Sequence, residues 1–315
     1  MTETLEPLEP VEGYFTDLGK AVPQPPRWVV EPILPEGLVI MAGPPKEAYK
    51  STIVMALACL VTRHEHKALP PEWQRRVDGP VMILSHEADA GELRFIVEQG
   101  LGVKLRKDES ILVADRPEDF RLDEEEGHAE LMRWLHARQP ILTVIDPLAN
   151  FHSLEEKDAG QMVKLLAPLR RWAKEEQACI LVVHHTRKLD EERLLRASDV
   201  RGSSAMFGLA DGLILLSPTK AEFEVVFDVK PKRGKHFTQT VQLGIWDRKG
   251  QQGRTPLVGL DKLLVTAISL GFVTVEEAAR HCNVSVEVAT KRLANLARQG
   301  RIVLKGGKAK VVQHG

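Results

Sequence analysis

Little cysteine, no long apolar run and almost no net charge: each shortage in this chain of 315 residues argues against a class of protein. The three cysteines, Cys59, Cys179 and Cys282, stand far apart, and two of them sit inside apolar stretches. Such spacing speaks against a disulfide scaffold and against a zinc site. No apolar run approaches the ~20 residues of a membrane-spanning helix. The opening Met1-Thr2-Glu3-Thr4-Leu5-Glu6 has neither the basic nor the apolar region of a signal peptide. The expectation is a reduced, cytoplasmic protein with no membrane partner. Internal repeats and low-complexity segments are also missing. The near-balance of 43 Lys and Arg against 44 Asp and Glu hides an asymmetry. Residues 1–30 carry five acids against Lys20 and Arg27, whereas residues 259–315 carry nine Lys or Arg against four Asp or Glu. A basic end on a neutral chain raises the expectation of nucleic acid there.

What is present divides into three parts: an acidic, Pro-rich tail over residues 1–26, a core domain over 27–256 and a small domain over 257–315. In the core, short runs of β-branched and aliphatic residues (Gly37–Ala42, Val81–Ser85, Ile141–Ile145, Cys179–Val183, Gly212–Leu216) alternate with helical patterns. The helices are expected at Ser51–Arg63, Ala90–Gly100, Glu125–Arg138 and Gln161–Glu176. This alternation predicts an α/β fold, a mostly parallel sheet with helices on both faces. Glu222–Val229, Thr238–Trp246 and the segment around Arg248–Thr255 then read as β-hairpin material closing the sheet.

Four of the apolar runs end in polar residues: Lys50 shortly after the first, then Glu87, Asp146 and His184-His185. Ligands of open parallel sheets sit beyond the carboxyl ends of the strands, so these side chains are expected to converge on one crevice. Its first element is Gly43-Pro44-Pro45-Lys46-Glu47-Ala48-Tyr49-Lys50-Ser51-Thr52, between a strand and a helix. A phosphate-binding loop needs inward N–H groups at a helix N-terminus, a Lys for the β/γ-phosphates and a Ser or Thr hydroxyl for Mg²⁺. Lys50 and Ser51 fit those roles. The strict G-x-x-x-x-G-K-[ST] pattern fails, since Tyr49 replaces the second Gly and the loop is one residue longer; alone, the segment could be an ordinary strand–helix turn. Asp146 ends a strand where a carboxylate would hold the Mg²⁺ water shell opposite Ser51; its alternative is a helix N-cap ahead of Pro147. Glu87 is placed to polarise an attacking water, or else is a solvated loop acid. His184-His185-Thr186 is placed to sense a γ-phosphate from the adjacent strand end; His184 reads equally as a core histidine, and His185 points to the other face of the strand.

These segments resemble the RepA-like hexameric helicases and the wider AAA_25 group of RecA-fold ATPases, kin of DnaB-type replicative helicases. The resemblance spans about Pro26 to Trp246. It rests on Pro26-Arg27-Trp28-Val29-Val30, Gly43-Pro44-Pro45-Lys46 with Tyr49-Lys50-Ser51, and Leu84–Glu87. Ile145-Asp146-Pro147-Leu148, Val183-His184-His185-Thr186-Arg187-Lys188 and Val200-Arg201-Gly202-Ser203-Ser204-Ala205 complete it. It implies ATP and Mg²⁺ as cofactors, nucleotide chemistry at Lys50, Ser51, Glu87 and Asp146, and γ-phosphate sensing at His185. It also implies a homo-oligomeric, hexameric ring in which one subunit lends an Arg, often with a Lys, to its neighbour's ATP. Arg233 is the first candidate, with Lys232 its companion and Arg201 its rival; a solvated basic hairpin, or one touching single-stranded DNA at the core, remains the alternative.

In residues 257–315, Leu260–Leu270 reads as a helix, and Thr274-Val275-Glu276-Glu277 is a capping box for a second. Ser285 caps a third, on which Ala289, Leu293, Leu296 and Gly300 share a face. Arg301–Leu304 and Lys308–Val312 form a hairpin. The pattern resembles a winged helix-turn-helix, with Lys291, Arg292, Lys305, Lys308 and Lys310 as duplex DNA contacts; such domains also dock proteins. The expected function is an ATP-driven DNA motor of plasmid or phage type. Its alternative is an ATP-regulated replication or recombination factor that unwinds nothing. Against a third option, a degenerate nucleotide site, stand Glu87 and Asp146.

Overall fold

Strands that carry apolar side chains at every position must be covered on both sides, and such strands fill the middle of this fold. The computed structural model describes residues 18–45, 48–64, 66, 68–108, 110–115, 120–187, 193–200, 204–221, 223–243, 264, 268, 274–281, 286–298, 302–305 and 308–311. In chain order the core strands are β1 (Trp28–Glu31), β2 (Leu34–Pro35), β3 (Gly37–Gly43), β4 (Gln74–Arg75) and β5 (Val81–Ser85). They continue with β6 (Ile111–Asp115), β7 (Leu142–Asp146), β8 (Cys179–His185), β9 (Gly212–Pro218), β10 (Glu224–Pro231) and β11 (Phe237–Gln242). The helices are α1 (Lys50–Val61), α2 (Ala90–Phe95), α3 (Glu125–Arg138), α4 (Ala159–Glu175) and α5 (Ser204–Leu209).

The main sheet has eight strands in the order β11-β10-β9-β3-β8-β7-β5-β6. Six are parallel, and β10 and β11 add antiparallel to one edge. Alternate residues feed two cores. Val39, Met41, Leu181 and Val183 pack with α1 and α2, whereas Leu38, Ile40, Ala42, Ile180 and Val182 pack with the α3–α5 side. α1 is apolar nearly all round and is buried from Thr52 to Cys59. α4 is amphipathic and sends Met162, Leu166, Leu169 and Trp172 to the sheet. Cys59 and Cys179 are buried and unpaired, and burial pushes the Cys59 thiol up to about 12. Among the described residues no helix is long and apolar enough to cross a membrane.

Several expectations shift in detail. The helix at 90–100 keeps α geometry only to Phe95 and continues as a π-helical turn over Ile96–Gly100. β10 starts two residues late, and β11 ends at Gln242; the segment beyond Leu243, with Arg248–Thr255, lies outside the described residues. A three-stranded sheet, β2-β1-β4, was not expected; at two to four residues each, its strands are too short to show a period. In the terminal region, Glu277 N–H donates to Thr274 Oγ1 at 3.2 Å and Thr274 N–H to Glu277 Oε2 at 3.1 Å, the capping box read from sequence. It opens the helix Val275–His281, and a helix Val286–Arg298 follows with Ala289, Leu293 and Leu296 buried. The strands Ile302–Lys305 and Lys308–Val311 then form an antiparallel pair, Lys305 opposite Lys308 and Val303 opposite Lys310.

One carboxylate ties the parallel strands together at their amino ends. Asp211, 6% exposed, accepts Leu38 N–H at 3.1 Å and both arms of the Arg170 guanidinium at 2.8 Å, with Lys174 Nζ at 3.3 Å. Its backbone oxygen accepts Lys232 N–H at 2.8 Å. The approach is so close that a Cβ on Gly37 would lie 2.2 Å from Asp211 Oδ2, and Gly37 has φ 109. Here glycine is required on both counts. Removing the acid strands the Arg170 guanidinium and a buried N–H, while Lys174 keeps the Glu36 carbonyl at 2.8 Å; both cations are about a third exposed. Asp211→Ala is therefore expected to cost about 2–3 kcal/mol in urea unfolding, below the range for a fully buried pair.

Candidate functional site

The carboxyl ends of β3, β5, β7 and β8 meet, and the polar residues read from sequence converge there. β3 must end in glycine, because a Cβ on Gly43 would lie 2.8 Å from Ala48 Cβ and 3.1 Å from Leu216. The loop past Pro44 and Pro45 returns through Ala48 and Tyr49 to α1, with Lys46 and Glu47 outside the described residues. Tyr49 is left-handed, φ 50 and ψ 30, a conformation that costs a non-glycine residue about 1–2 kcal/mol. Its side chain offsets part of that cost. Tyr49 Oη accepts Phe223 N–H at 3.2 Å, and the two rings lie 5.4 Å apart.

Lys50, the first residue of α1, is 7% exposed. Its Nζ donates to Pro44 O at 2.8 Å and Gly43 O at 3.3 Å. Burial lowers its pKa, while Asp146 and Glu87 work the other way. Ser51 Oγ donates to Asp146 Oδ2 at 3.4 Å. Asp146 does not take the N-cap position of the short 3-10 turn that follows; Pro147 does, without a side-chain capping bond. Burial, reinforced by Glu87, pushes the Asp146 carboxyl up to about 6, against the pull of Lys50. His86 N–H donates to Asp146 O at 3.0 Å, which holds the turn carrying Glu87 beside β7. Glu87 Oε1 lies 3.2 Å from His185 Nε2, and this hydrogen bond is the main cause that holds Glu87 below the usual carboxylate range. Half-exposed and ionised, Glu87 is free to accept a proton, while the same hydrogen bond that keeps it ionised lowers its basicity.

His184 points to the opposite face. It is fully buried, its Nδ1 accepts His185 N–H at 2.9 Å, and its Nε2 lies 3.4 Å from Glu156 Oε1. Thr52 is buried within α1. Lys232 and Arg233 do not join this crevice. Pro231 pairs with Gly212, the first residue of β9, so the turn that follows lies at the amino end of the parallel strands. Lys232 Nζ there donates to Gly208 O at 3.2 Å. Arg201 lies outside the described residues. In the terminal helix Lys291 is exposed and Arg292 half-buried; Lys305, Lys308 and Lys310 lie on the hairpin strands, with Lys305 paired to Lys308.

Sequence reasoning missed the Tyr49–Phe223 contact and the Asp211 network. Asp211 does leave a signal, an acid immediately before an apolar strand; Phe223 leaves none.

A family model described as an AAA domain, AAA_25, matches residues 4–191, more than half of the chain. The chain belongs to the AAA_25 family. The match begins before β1 and ends before α5, so the turn with Lys232 and Arg233 and everything after it lie beyond it. A search of curated proteins finds no match. Among solved structures, a KaiC-like protein of the hyperthermophilic archaeon Pyrococcus horikoshii is similar at 18% identity and TM-score 0.44, over 67% of this chain and 87% of that one. AAA_25 membership makes the chain a P-loop ATPase by family, and the mostly parallel sheet is consistent with a RecA-like core. The donors present fit the nucleotide and Mg²⁺ that such a family uses. Ser51 and Asp146 offer one hydroxyl and one carboxylate side by side, a small set suited to an ion that draws its remaining ligands from phosphate and water. Among the described residues there is no cluster of three or more His, Cys, Asp or Glu fit to hold a metal by itself.

The Asp146 carboxyl gives a pH test. Its pKa of about 6 exceeds the ordinary 3.8, so between those values the folded AAA_25 chain holds a proton that the unfolded chain releases. This contribution to stability is complete below pH 4 and is lost as pH rises through 6. Relative to Asp146→Asn, the wild type is expected to gain up to about 3 kcal/mol in urea unfolding between pH 7 and pH 4. Parallel pH profiles for the two proteins would disprove the shift.

Proposed function

We propose that this chain is an ATP-hydrolysing DNA motor, a ring-forming helicase of the RepA-like type. The observation that carries the reading is the convergence of Lys50, Ser51, Asp146, Glu87 and His185 at the ends of neighbouring strands. In this reading Lys50 leaves the Gly43 and Pro44 carbonyls to pair with the β- and γ-phosphates, and Ser51 and Asp146 hold Mg²⁺. The bound ion would neutralise charge on the phosphate oxygens. Glu87 takes the proton of the attacking water, and His185, hydrogen-bonded to Glu87, is placed to report whether a γ-phosphate is present.

Ring formation is supported by where Arg233 is. At the far end of the parallel strands from Lys50, it is out of reach of its own nucleotide site, so an Arg finger from this turn would have to serve a neighbour. A head-to-tail interface of this kind gives a ring when its rotation closes and a helical filament when it does not; the ring is the form proposed. DNA binding is supported at the terminal region by its basic excess, by exposed Lys291 and by a hairpin on which Lys305 pairs with Lys308 and Lys310 follows two residues on. Two helices leading into a hairpin suit a winged helix-turn-helix.

Lys50→Ala is expected to abolish ATP turnover with the fold intact. Glu87→Gln should instead keep ATP affinity and lower turnover by at least about 100-fold, since only the proton acceptor is lost. Turnover near the wild-type rate in Glu87→Gln would move the base elsewhere.

The ring has its own test. Lys50→Ala and Arg233→Ala subunits, each inactive alone, should regain activity when mixed, because in an equal random ring about a quarter of the interfaces hold both groups. A monomer whose turnover per subunit is the same at every concentration would rule the ring out.

A further inference from the structure

We propose that the Tyr49–Phe223 contact couples occupancy of the phosphate loop to the last residues of β11, the chain's exit from the main sheet. The inference rests on the ATP reading above. Two non-glycine residues face each other here in left-handed backbone, Tyr49 at φ 50 and Phe223 at φ 59. Backbone of this kind persists where the surroundings determine it, and each of these residues is a large part of the other's surroundings. Tyr49 Oη is the acceptor for Phe223 N–H, and the tilted rings pack together. Phe223 is 5% exposed and belongs to the same buried cluster as Leu216 and Leu243.

From Phe223 the connection continues through its carbonyl. Phe223 O accepts Leu243 N–H at 2.8 Å and the Gln242 side-chain amide, Nε2–H, at 3.2 Å. The chain therefore runs from the loop to Tyr49, to the turn between β9 and β10, and on to the end of β11. Beyond Leu243 the sequence leads towards residues 257–315.

Nucleotide must act on this contact because Tyr49 immediately precedes Lys50. To grip a di- or triphosphate, Lys50 exchanges the Pro44 and Gly43 carbonyls for phosphate oxygens, and the loop's N–H groups turn towards the same anion. A loop rearrangement that shifts the Tyr49 Cα or changes its φ swings the Tyr49 hydroxyl relative to Phe223 N–H. Tyr49 is thus a positioning residue: it acts on phosphate through the backbone it holds, and it passes the change outward. A glycine at this position would reach φ 50 without strain but would carry no such link.

The test is amide hydrogen exchange on the full chain, alone and saturated with ADP or with the slowly hydrolysed ATPγS. Saturation is set for each protein by equilibrium dialysis. In the wild type, exchange in the peptides containing Phe223 and Gln242–Leu243 is expected to change by at least about threefold on nucleotide binding. Tyr49→Phe keeps the ring and loses the acceptor, and at equal saturation its change should fall below about half of that. Tyr49→Gly carries the same test should the first variant not fold. A role in stability alone would raise exchange in these peptides equally with and without nucleotide, which overturns the proposal. So does an unchanged nucleotide response in Tyr49→Phe, or a wild type that binds nucleotide without altering these peptides. Dialysis showing no nucleotide bound to the wild type would instead overturn the ATP reading, and the coupling with it.

Discussion

Because β3, β7 and β8 are buried on both faces, their side chains have no room for polar chemistry along their length. Apart from Thr143 on β7, polar groups enter close to where the strands stop, and the two ends of the sheet divide the work. At the amino ends Asp211 gathers Arg170, Lys174 and the Leu38 N–H into a satisfied cluster. At the carboxyl ends Lys50, Asp146 and Glu87 face one another with fewer partners. A buried ionic group is tolerated when its lone pairs and protons are met, and that is the condition at Asp211. It is not met in the same measure at Asp146, whose raised pKa records the difference. The strained electrostatics lie at the end where a ligand can relieve them.

The crevice is also self-consistent in charge. Burial disfavours the charged forms of Lys50 and Asp146 alike, and each favours the charged form of the other. Glu87 raises the pKa of Asp146 and is itself held ionised by His185. One ammonium therefore stands among two carboxylates, and the ammonium is turned back onto the loop's own carbonyls. A phosphate arriving alone would add negative charge beside two acids. Arriving with a divalent cation, it brings the positive charge that Asp146 lacks, so nucleotide and metal are expected to bind together rather than separately.

The sequence made the strands of the central sheet legible because burial on both faces leaves an unbroken apolar run, and it made the crevice legible because the polar residues follow those runs directly. Lys50, Asp146, Glu87 and His185 were all found in that way. The helix at 274 was legible through its capping box. What escaped detection depends on contacts between distant segments. A separation of 173 positions between Leu38 and Asp211 hides a hydrogen bond that no local pattern encodes. A separation of 174 positions between Tyr49 and Phe223 hides another, and Tyr49, which reads as a departure from a glycine motif, is held by a partner on a distant turn. β1, β2 and β4 escaped for a different reason, since strands this short are defined by their neighbours.

The division between sheet ends carries into the proposed ring. Asp211 holds the turn after Pro231 through Lys232 N–H, and Lys232 Nζ reaches Gly208 at the end of α5. Arg233 thus projects from a turn fixed to the same acid that fixes the start of β3. β3 runs from that acid to Gly43, so a single buried strand spans the distance between the group that would serve the neighbour and the loop that would receive the neighbour's Arg. A strand packed on both faces resists shear and compression, and a displacement at one end is passed to the other rather than absorbed along the way. In a head-to-tail ring, that stiffness would link successive nucleotide sites through the centre of each subunit. It requires no rearrangement of the core.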